Sequence, residues 1–239
     1  MTVLRDMKGD DRVDPVVTME VWGDLACWTR PESKVERLSY PIPTPSGLRG
    51  VLSAVYSKPK EFYWQIRRIE VLKPIQYITF RRNEVKSKMG RTEALYIEDD
   101  RTQRQSVMLK DVRYRVTAEM IPQTVYPKPA AALVNQFMKR LEKGQCFLQP
   151  SMGLRELVGY FGPPSDMKPI DEDLDPGLMV YDVFDLHDCD APEDLKKRKL
   201  KTAPPFVTLY RPNMVGGVIE VPPFDSEEVL RPKRGDHLC

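Results

Sequence analysis

The chain has 239 residues, of which 41% are apolar and 30% charged, and its formal net charge is +2. That length suits one large domain or a medium domain with a smaller partner, and the apolar fraction supports a substantial core, which excludes wholesale disorder. No apolar run approaches the roughly 20 residues needed to cross a bilayer, and the opening MTVLRDMKGDDRVDP lacks the apolar centre of a secretory signal, so a cytoplasmic protein without membrane attachment is expected.

Residues 1–15 read as a flexible leader before the first strand. Residues 16–28, VVTMEVWGDLACW, are rich in β-branched and aromatic side chains and read as that strand. The polar loop that follows carries prolines at 41, 43 and 45, which forbid a helix there. Leu48, Val51, Leu52 and Val55 then recur at i, i+3, i+4 and i+7, predicting an amphipathic helix between Pro45 and Pro59. Residues 61–80 hold two strands with Lys73-Pro74 at the junction. Residues 81–104 are polar, charged and without periodicity, and read as a basic excursion from the sheet. Strand character returns over 105–121, with alternation through Val112, Tyr114 and Val116. A second helix is predicted over 130–143, with Lys139, Arg140 and Lys143 suiting its C-terminal end and Gly144 ending it.

This order is compatible with an α+β fold, a ferredoxin-like (RRM-like) βαββαβ core over 16–163. The remainder, 164–239, is proline-rich with short strands and a Gly216-Gly217 hairpin turn. It reads as a β-rich C-terminal extension, continuous with the core or loosely separate.

The small net charge conceals an asymmetry. From Arg30 to Arg115 there are 19 Lys/Arg against 10 Asp/Glu, whereas Ser165 to Leu195 holds 1 Lys against 11 Asp/Glu. Such segregation points to one face for a polyanion. The acidic stretch at 166–194 either solvates a loop, pairs with the basic cluster Lys196, Lys197, Arg198, Lys199 and Lys201, or meets a partner.

Enzyme signatures of the common kinds are missing: no phosphate loop ending in Gly-Lys-Ser/Thr, no His-Glu-x-x-His, no Gly-x-Ser-x-Gly. The four cysteines, Cys27, Cys146, Cys189 and Cys239, show no metal-ligand spacing and read as reduced thiols. The two histidines, His187 and His237, lie late in the chain, and His187 sits in the acidic HDCDAPED. Neither a metal site nor a cofactor is expected; acidic pairs such as Asp171/Asp173 ordinarily face water. What the chain offers instead is Arg30, Lys34, Arg37, Arg49, Arg81, Arg82, Lys86, Lys88, Arg91 and Arg104, with Tyr40, Tyr56 and Tyr77 interleaved. Guanidinium forks grip phosphates and aromatic faces stack unpaired bases, so this set is a candidate surface for single-stranded RNA.

A series of short runs, in order along the chain, sharpens that reading. Trp22-Gly23-Asp24, Thr29-Arg30-Pro31-Glu32, Lys34-Val35-Glu36-Arg37, Ser39-Tyr40-Pro41, Thr44-Pro45-Ser46, Tyr56-x-Lys58-Pro59, Lys73-Pro74-Ile75 and Arg81-Arg82-Asn83-Glu84 resemble the Cas-five proteins of type I-C CRISPR systems, members of the RAMP superfamily. Leu109-Lys110-Asp111-Val112, Gly144-Gln145-Cys146-Phe147 and Gly153-x-Arg155-Glu156 continue the likeness, which covers roughly residues 16–160.

The resemblance implies a subunit of a Cascade complex that binds CRISPR RNA. Such a subunit cuts the repeat hairpin without metal by attack of the 2′-OH, giving a 2′,3′-cyclic phosphate, and stays on the 5′ handle. The implied neighbours are Cas-seven backbone subunits, the large Cas-eight subunit and, in the assembled complex, target DNA. The family's catalytic set is a tyrosine at the end of the first helix and a Lys-His pair near the start of the second. Tyr56 matches the tyrosine, either as a base assisted by a cation such as Lys58 or as a group orienting the 2′-OH; packing of the helix end is its structural alternative. Ungapped counting puts the Lys-His pair at Ala132 and Leu133, where no proton-transfer group stands, and Lys128 is the nearest lysine. The expected RNA-binding set is Arg30, Lys34, Arg37, Arg49, Lys58, Arg81, Arg82, Arg104 and Arg155, with Tyr56 and Lys128 for catalysis. Two functions follow: a metal-independent endoribonuclease that keeps its product, or a non-catalytic assembly subunit that grips the 5′ handle.

Overall fold

The structure, a computed structural model, describes residues 15–33, 35–87, 96, 98–122, 129–183 and 207–231. Lys34, Lys88, Arg91, Lys128, both histidines, the 1–14 leader, the 184–194 part of the acidic stretch and the basic cluster at 196–201 lie outside the described residues. In chain order the elements are β1 (Val16–Ala26), β2 (Arg37–Leu38), α1 (Pro45–Val55), β3 (Phe62–Val71), β4 (Tyr77–Val85), β5 (Arg101–Pro122) and α2 (Ala130–Glu142). Then follow β6 (Tyr160–Gly162), β7 (Met179–Asp182), β8 (Thr208–Tyr210), β9 (Met214–Val215) and β10 (Val218–Glu220).

The main sheet runs β6-β1-β5-β3-β10-β9, with β2 and β4 also paired to β5. Its pairs are antiparallel except the short parallel contact of β2 with β5. The fold is thus mixed α/β, built on a mainly antiparallel sheet with two helices. β7 and β8 form a separate two-stranded sheet.

Alternation along the central strands explains the core. Val17, Met19 and Val21 stand opposite Ala118, Val116 and Tyr114 of β5, while Ile69 and Val71 of β3 flank the same positions. All are buried together with Leu48, Val51, Leu52 and Val55 of α1 and Leu133, Phe137 and Leu141 of α2. The predicted periodicity of the first helix is therefore the face it buries. Thr44 caps α1 by accepting from Gly47 N at 3.1 Å, and Pro45 at its first turn gives up an N–H that would otherwise go unsatisfied.

The excursion expected over 81–104 differs in form. Its flanks are strands: β4 extends to Val85 and pairs with β5 from Arg101 onward, making a two-stranded ribbon. Burial along β4 alternates only between exposed and half-buried, so no apolar period marks it in the sequence, and beyond the partly buried Ile78 and Phe80 it is held by backbone pairing. The C-terminal region is continuous with the main sheet, since β10 pairs with β3 and the Gly216-Gly217 turn, at φ +53° and +73°, joins it to β9. No helix among the described residues is long and apolar enough to cross a membrane.

On the face away from the helices a buried charge network takes the place of apolar packing. Glu20 has 0% exposure, and its carboxylate accepts from Arg113 Nε at 2.7 Å and Arg115 Nη2 at 3.0 Å. Arg115 also donates to Glu70 at 2.6 Å and to the carbonyls of Ser165 and Met167 at 2.7 Å. Ser165 completes the cage by donating from its N–H and hydroxyl to Glu20, each at 2.8 Å. The segment after β6 is thereby strapped across the sheet, and Ile170 N donates to Val71 O at 2.9 Å to fix its far end.

Burial pushes the Glu20 carboxyl up, but the hydrogen bonds from Ser165, Arg113 and Arg115 outweigh it and hold it below its ordinary value. A carboxyl depressed in the folded state contributes stability above the unfolded-state value of 4.5, and that contribution is lost as pH falls through the depressed folded value. Glu20→Gln is expected to cost about 3 kcal/mol at neutral pH by leaving two guanidinium groups under-compensated. It should also flatten the acid limb of stability; denaturant titrations at pH 7 and pH 4 check both effects.

Candidate functional site

The β4–β5 register places Arg82 opposite Arg104 and Glu84 opposite Thr102, on the face that also carries Phe80 and Ser106. β2 lies on the other side of β5 and sets Arg37 opposite Ser106, so three guanidinium groups converge on one face of the ribbon. Two carboxylates sit among them. Glu84 is 3.1 Å from Arg104, 3.3 Å from Arg82 and 3.8 Å from Arg37. Glu156 pairs with Arg37 and lies 3.5 Å from Arg82. The side chains of Arg37, Arg82 and Arg104 keep 30–31% of their surface exposed.

Glu156 reaches this cluster on the loop between α2 and β6. Cys27 N donates to Met152 O at 2.9 Å, Met152 N to Leu157 O at 2.8 Å and Gly159 N to Pro150 O at 2.9 Å, clamping the loop along the β1 edge. Gly153 is required at its tip: φ is +91°, and a Cβ would stand 2.0 Å from Cys27 O. Arg155, next to Glu156, is exposed. The Glu156 backbone N–H, followed by Arg37 and Arg82, holds its carboxyl below the usual range against the opposing effect of burial.

The cluster has three cations and two anions, and its donors are not all used. Arg82 Nε is shielded from solvent without a hydrogen-bond partner, and Nη2 has only the off-angle contact with Glu84 at 3.3 Å. Buried N–H groups without acceptors are costly, and an incoming anionic oxygen would satisfy them. The sequence-predicted residues Arg37, Arg82 and Arg104 are thus brought together, with Arg155 beside them. Arg81 points to the opposite face of β4 and is exposed. Arg30 stacks over Tyr40 at 5.0 Å and lies 3.8 Å from Glu32. Arg49, expected on the RNA surface, is instead gripped by Asp182 at 2.7 and 2.9 Å, which ties α1 to β7.

Tyr56 caps the C-terminal end of α1 and is only 1% exposed. Its ring stacks on Phe62 with centroids 5.4 Å apart, and its carbonyl accepts from Trp64 Nε1 at 2.9 Å. The hydroxyl donates to Gln136 Oε1 at 2.8 Å, and the Arg140 guanidinium lies 5.7 Å from the ring centroid. The cation on the ring is therefore Arg140 rather than Lys58, whose carbonyl closes the turn into β3. Burial pushes the phenol up, Glu61 adds to that, and Arg140 opposes it without reversing it. At neutral pH the group is a protonated phenol, suited to donating a hydrogen bond.

Gln136 and Arg140 are one turn apart on α2, so both face Tyr56; that spacing was legible in the sequence. Lys128 precedes α2 by two residues and lies outside the described residues. Of the two positions where counting put a Lys-His pair, Ala132 is exposed and Leu133 is buried in the core. The carboxylates Glu84 and Glu156 were missed because a search for cations does not register the anions that orient them. Among the described residues, no group of three or more histidine, cysteine, aspartate or glutamate side chains stands close enough to hold a metal ion.

Residues 16–222 match the Cas_Cas5d family model, described as "CRISPR-associated protein (Cas_Cas5)". The chain belongs to the Cas5 family. Similar relatives include the "CRISPR pre-crRNA endoribonuclease Cas5d" of Thermus thermophilus, 39% identical over 91% of this chain and 96% of that protein. A protein of the same name from Mannheimia succiniciproducens is 37% identical over 90% of this chain and 98% of its own length. Among solved structures, one titled "Crystal Structure of CRISPR-associated Protein" shares the fold at a TM-score of 0.61 and 19% identity, covering 90% of this chain and 96% of that one.

In this Cas5 family member the Gly153 loop is the part of the cluster most exposed to a single-residue test. Gly153→Ala meets both a left-handed backbone and the Cys27 carbonyl, whereas a Cβ added at Gly177, where φ is +76°, would have nothing within 4 Å. Gly153→Ala is expected to cost about 2–3 kcal/mol and Gly177→Ala about 1 kcal/mol. Thermal melts of the two variants check the difference.

Proposed function

We propose that this protein is the CRISPR RNA-processing subunit of a type I-C Cascade: it cleaves precursor CRISPR RNA without metal and remains bound to the 5′ handle. The observation that carries this reading is the Arg37–Arg82–Arg104 cluster, whose surplus positive charge and unspent Arg82 Nε donor suit an RNA phosphate. It is supported by relatives named as pre-crRNA endoribonucleases that match nearly end to end. The strand order β6-β1-β5-β3, with α1 joining β1 to β3 and α2 joining β5 to β6, supports a ferredoxin-like core over 16–163 carrying a β-rich extension. In the complex the proposed neighbours are Cas-seven and Cas-eight subunits, with target DNA reached after assembly.

The chemistry needs a ribose 2′-OH to attack the adjacent phosphorus while the 5′-oxygen leaves, producing a 2′,3′-cyclic phosphate and a 5′-OH. The 2′-OH gives up its proton and the leaving oxygen gains one, so no external oxidant or metal enters the balance. A protonated Tyr56 phenol serves this reaction as a donor, to a phosphoryl oxygen or the departing 5′-oxygen, once the exposed Gln136 side chain turns aside. Arg140 supplies positive charge on the same side, and Lys128 is the lysine proposed to add to it. The Tyr56–Arg140 pair orients and stabilises; proton removal from the 2′-OH falls to solvent or to a group outside this pair.

A second reading, a non-catalytic subunit that grips the 5′ handle, is favoured by one observation: Ala132 and Leu133 leave the family's Lys-His positions without a proton-transfer group. Incubating the purified protein with the repeat RNA of its own array in EDTA separates the two. The endoribonuclease predicts cleavage with a cyclic phosphate end, slowed about 10- to 100-fold by Tyr56→Phe and weakened by Lys128→Ala. Arg82→Ala should weaken binding and lower the salt slope by about 1. Tight, salt-sensitive binding with no cleavage by the wild type would establish the assembly reading instead.

A further inference from the structure

We infer that Trp22 and Tyr160 form a stacking platform for one unpaired base of the bound RNA, on the sheet face away from the helices. This rests on the RNA-handling reading above and locates a contact which that reading leaves unassigned. Trp22 of β1 is the cross-strand partner of Tyr160 of β6, and their rings stack with centroids 6.4 Å apart at 25°. The Arg113 guanidinium lies 4.8 Å from the indole centroid, and Glu20, fully buried, fixes that guanidinium at 2.7 Å. Close backbone approach holds the two strands: a Cβ on Gly162 would touch the indole at 3.3 Å, and one on Gly23 would meet Val158 O at 2.9 Å.

The result is an ordered ladder of guanidinium, indole and phenol ring, in which the outermost member, Tyr160, is 50% exposed. Because the inner rungs are already fixed, a further flat ring adds to the stack with little loss of side-chain freedom. The strap from Ser165 to Ile170 occupies the neighbouring sheet face through Glu20, Arg115 and Val71. Trp22 is partly covered and Tyr160 half exposed, so the open aromatic surface is chiefly that of one ring. A stable protein interface needs roughly 800 Å² from each partner, so one base fits this surface better than a protein does. Tyr160 also lies only four residues beyond Glu156 on the loop that meets the arginine cluster, with exposed Arg155 just before that glutamate. Cross-strand pairing alone accounts for the stability of short β6; it does not predict an effect on RNA.

The test measures binding of the array's repeat RNA to the full chain by wild type, Tyr160→Ala, Tyr160→Leu and Tyr160→Phe. Tyr160→Leu keeps apolar cover on Trp22 while removing the π face, so it stays informative where Tyr160→Ala unfolds. The platform predicts about 5- to 50-fold weaker binding for Ala and Leu, near-normal binding for Phe, and an unchanged salt slope, since no phosphate contact is lost. It also predicts that 4-thiouridine placed along the repeat crosslinks to Tyr160 in the wild type. Wild-type binding matched by Tyr160→Leu, with no crosslink, overturns the platform while leaving RNA handling intact. Loss of association with the other complex subunits at unchanged RNA affinity overturns it in favour of a protein contact. Failure of the wild type to bind the RNA at all overturns both readings.

Discussion

Strands β1, β2, β3 and β4 all take their register from β5, a single strand of 22 residues. Its C-terminal half lies between β1 and β3 and supplies the central row of the core; its N-terminal half lies between β2 and β4 and supplies the floor of the arginine cluster. The side-chain parity of one strand thus sets both the packing of α1 and α2 and the side on which Arg37, Arg82 and Arg104 meet. A one-residue slip in β5 would turn Val116 outward and Arg104 to the opposite face together, so selection for a packed core also preserves the cluster.

Two charge networks use similar residues to opposite ends. Around Glu20 and Glu70, the guanidinium groups of Arg113, Arg115 and Arg68 meet the carboxylates of Glu20, Glu70 and Glu220, and Arg115 spends its remaining donors on the carbonyls of Ser165 and Met167. That network is neutral and satisfied, and its consequence is to strap the C-terminal segment onto the sheet. Around Glu84 and Glu156, three guanidinium groups meet two carboxylates among the described residues, and Arg82 Nε has no acceptor. Surplus charge and an unspent donor at a partly open surface suit an external anion. The same comparison places Arg49 with the structural group, since Asp182 engages it through two oxygens.

The parts of this fold that were legible in the sequence are those where burial writes a period. Leu48, Val51, Leu52 and Val55 gave away α1, and the alternation through Val112, Tyr114 and Val116 gave away the central stretch of β5. The outer part of the β4–β5 ribbon, 81–85 and 101–104, was not legible as strands because its side chains alternate only between exposed and half-exposed, which leaves no hydrophobic signature of backbone pairing. The site was half legible. Charge counting found Arg37, Arg82 and Arg104, but Glu156 reaches them from 119 residues beyond Arg37, and no local pattern encodes such a meeting. Trp22 stood out in a family-like run, while its partner Tyr160 did not; only pairing across the sheet joins them.

Tyr56 shows how burial decides a chemical role that residue type leaves open. A tyrosine beside a cation reads equally as a base or as a donor. Here the ring is sealed between Phe62 and α2, and the cost of forming a phenolate there exceeds the help from Arg140. The phenol keeps its proton, and its hydrogen bond to Gln136 holds it aimed at the surface. With no histidine at Ala132 or Leu133, the described residues around Tyr56 bring a donor and positive charge but no base. In the proposed cleavage their contribution would therefore lie in aligning the 2′-OH with the scissile bond and in stabilising charge on the phosphorane.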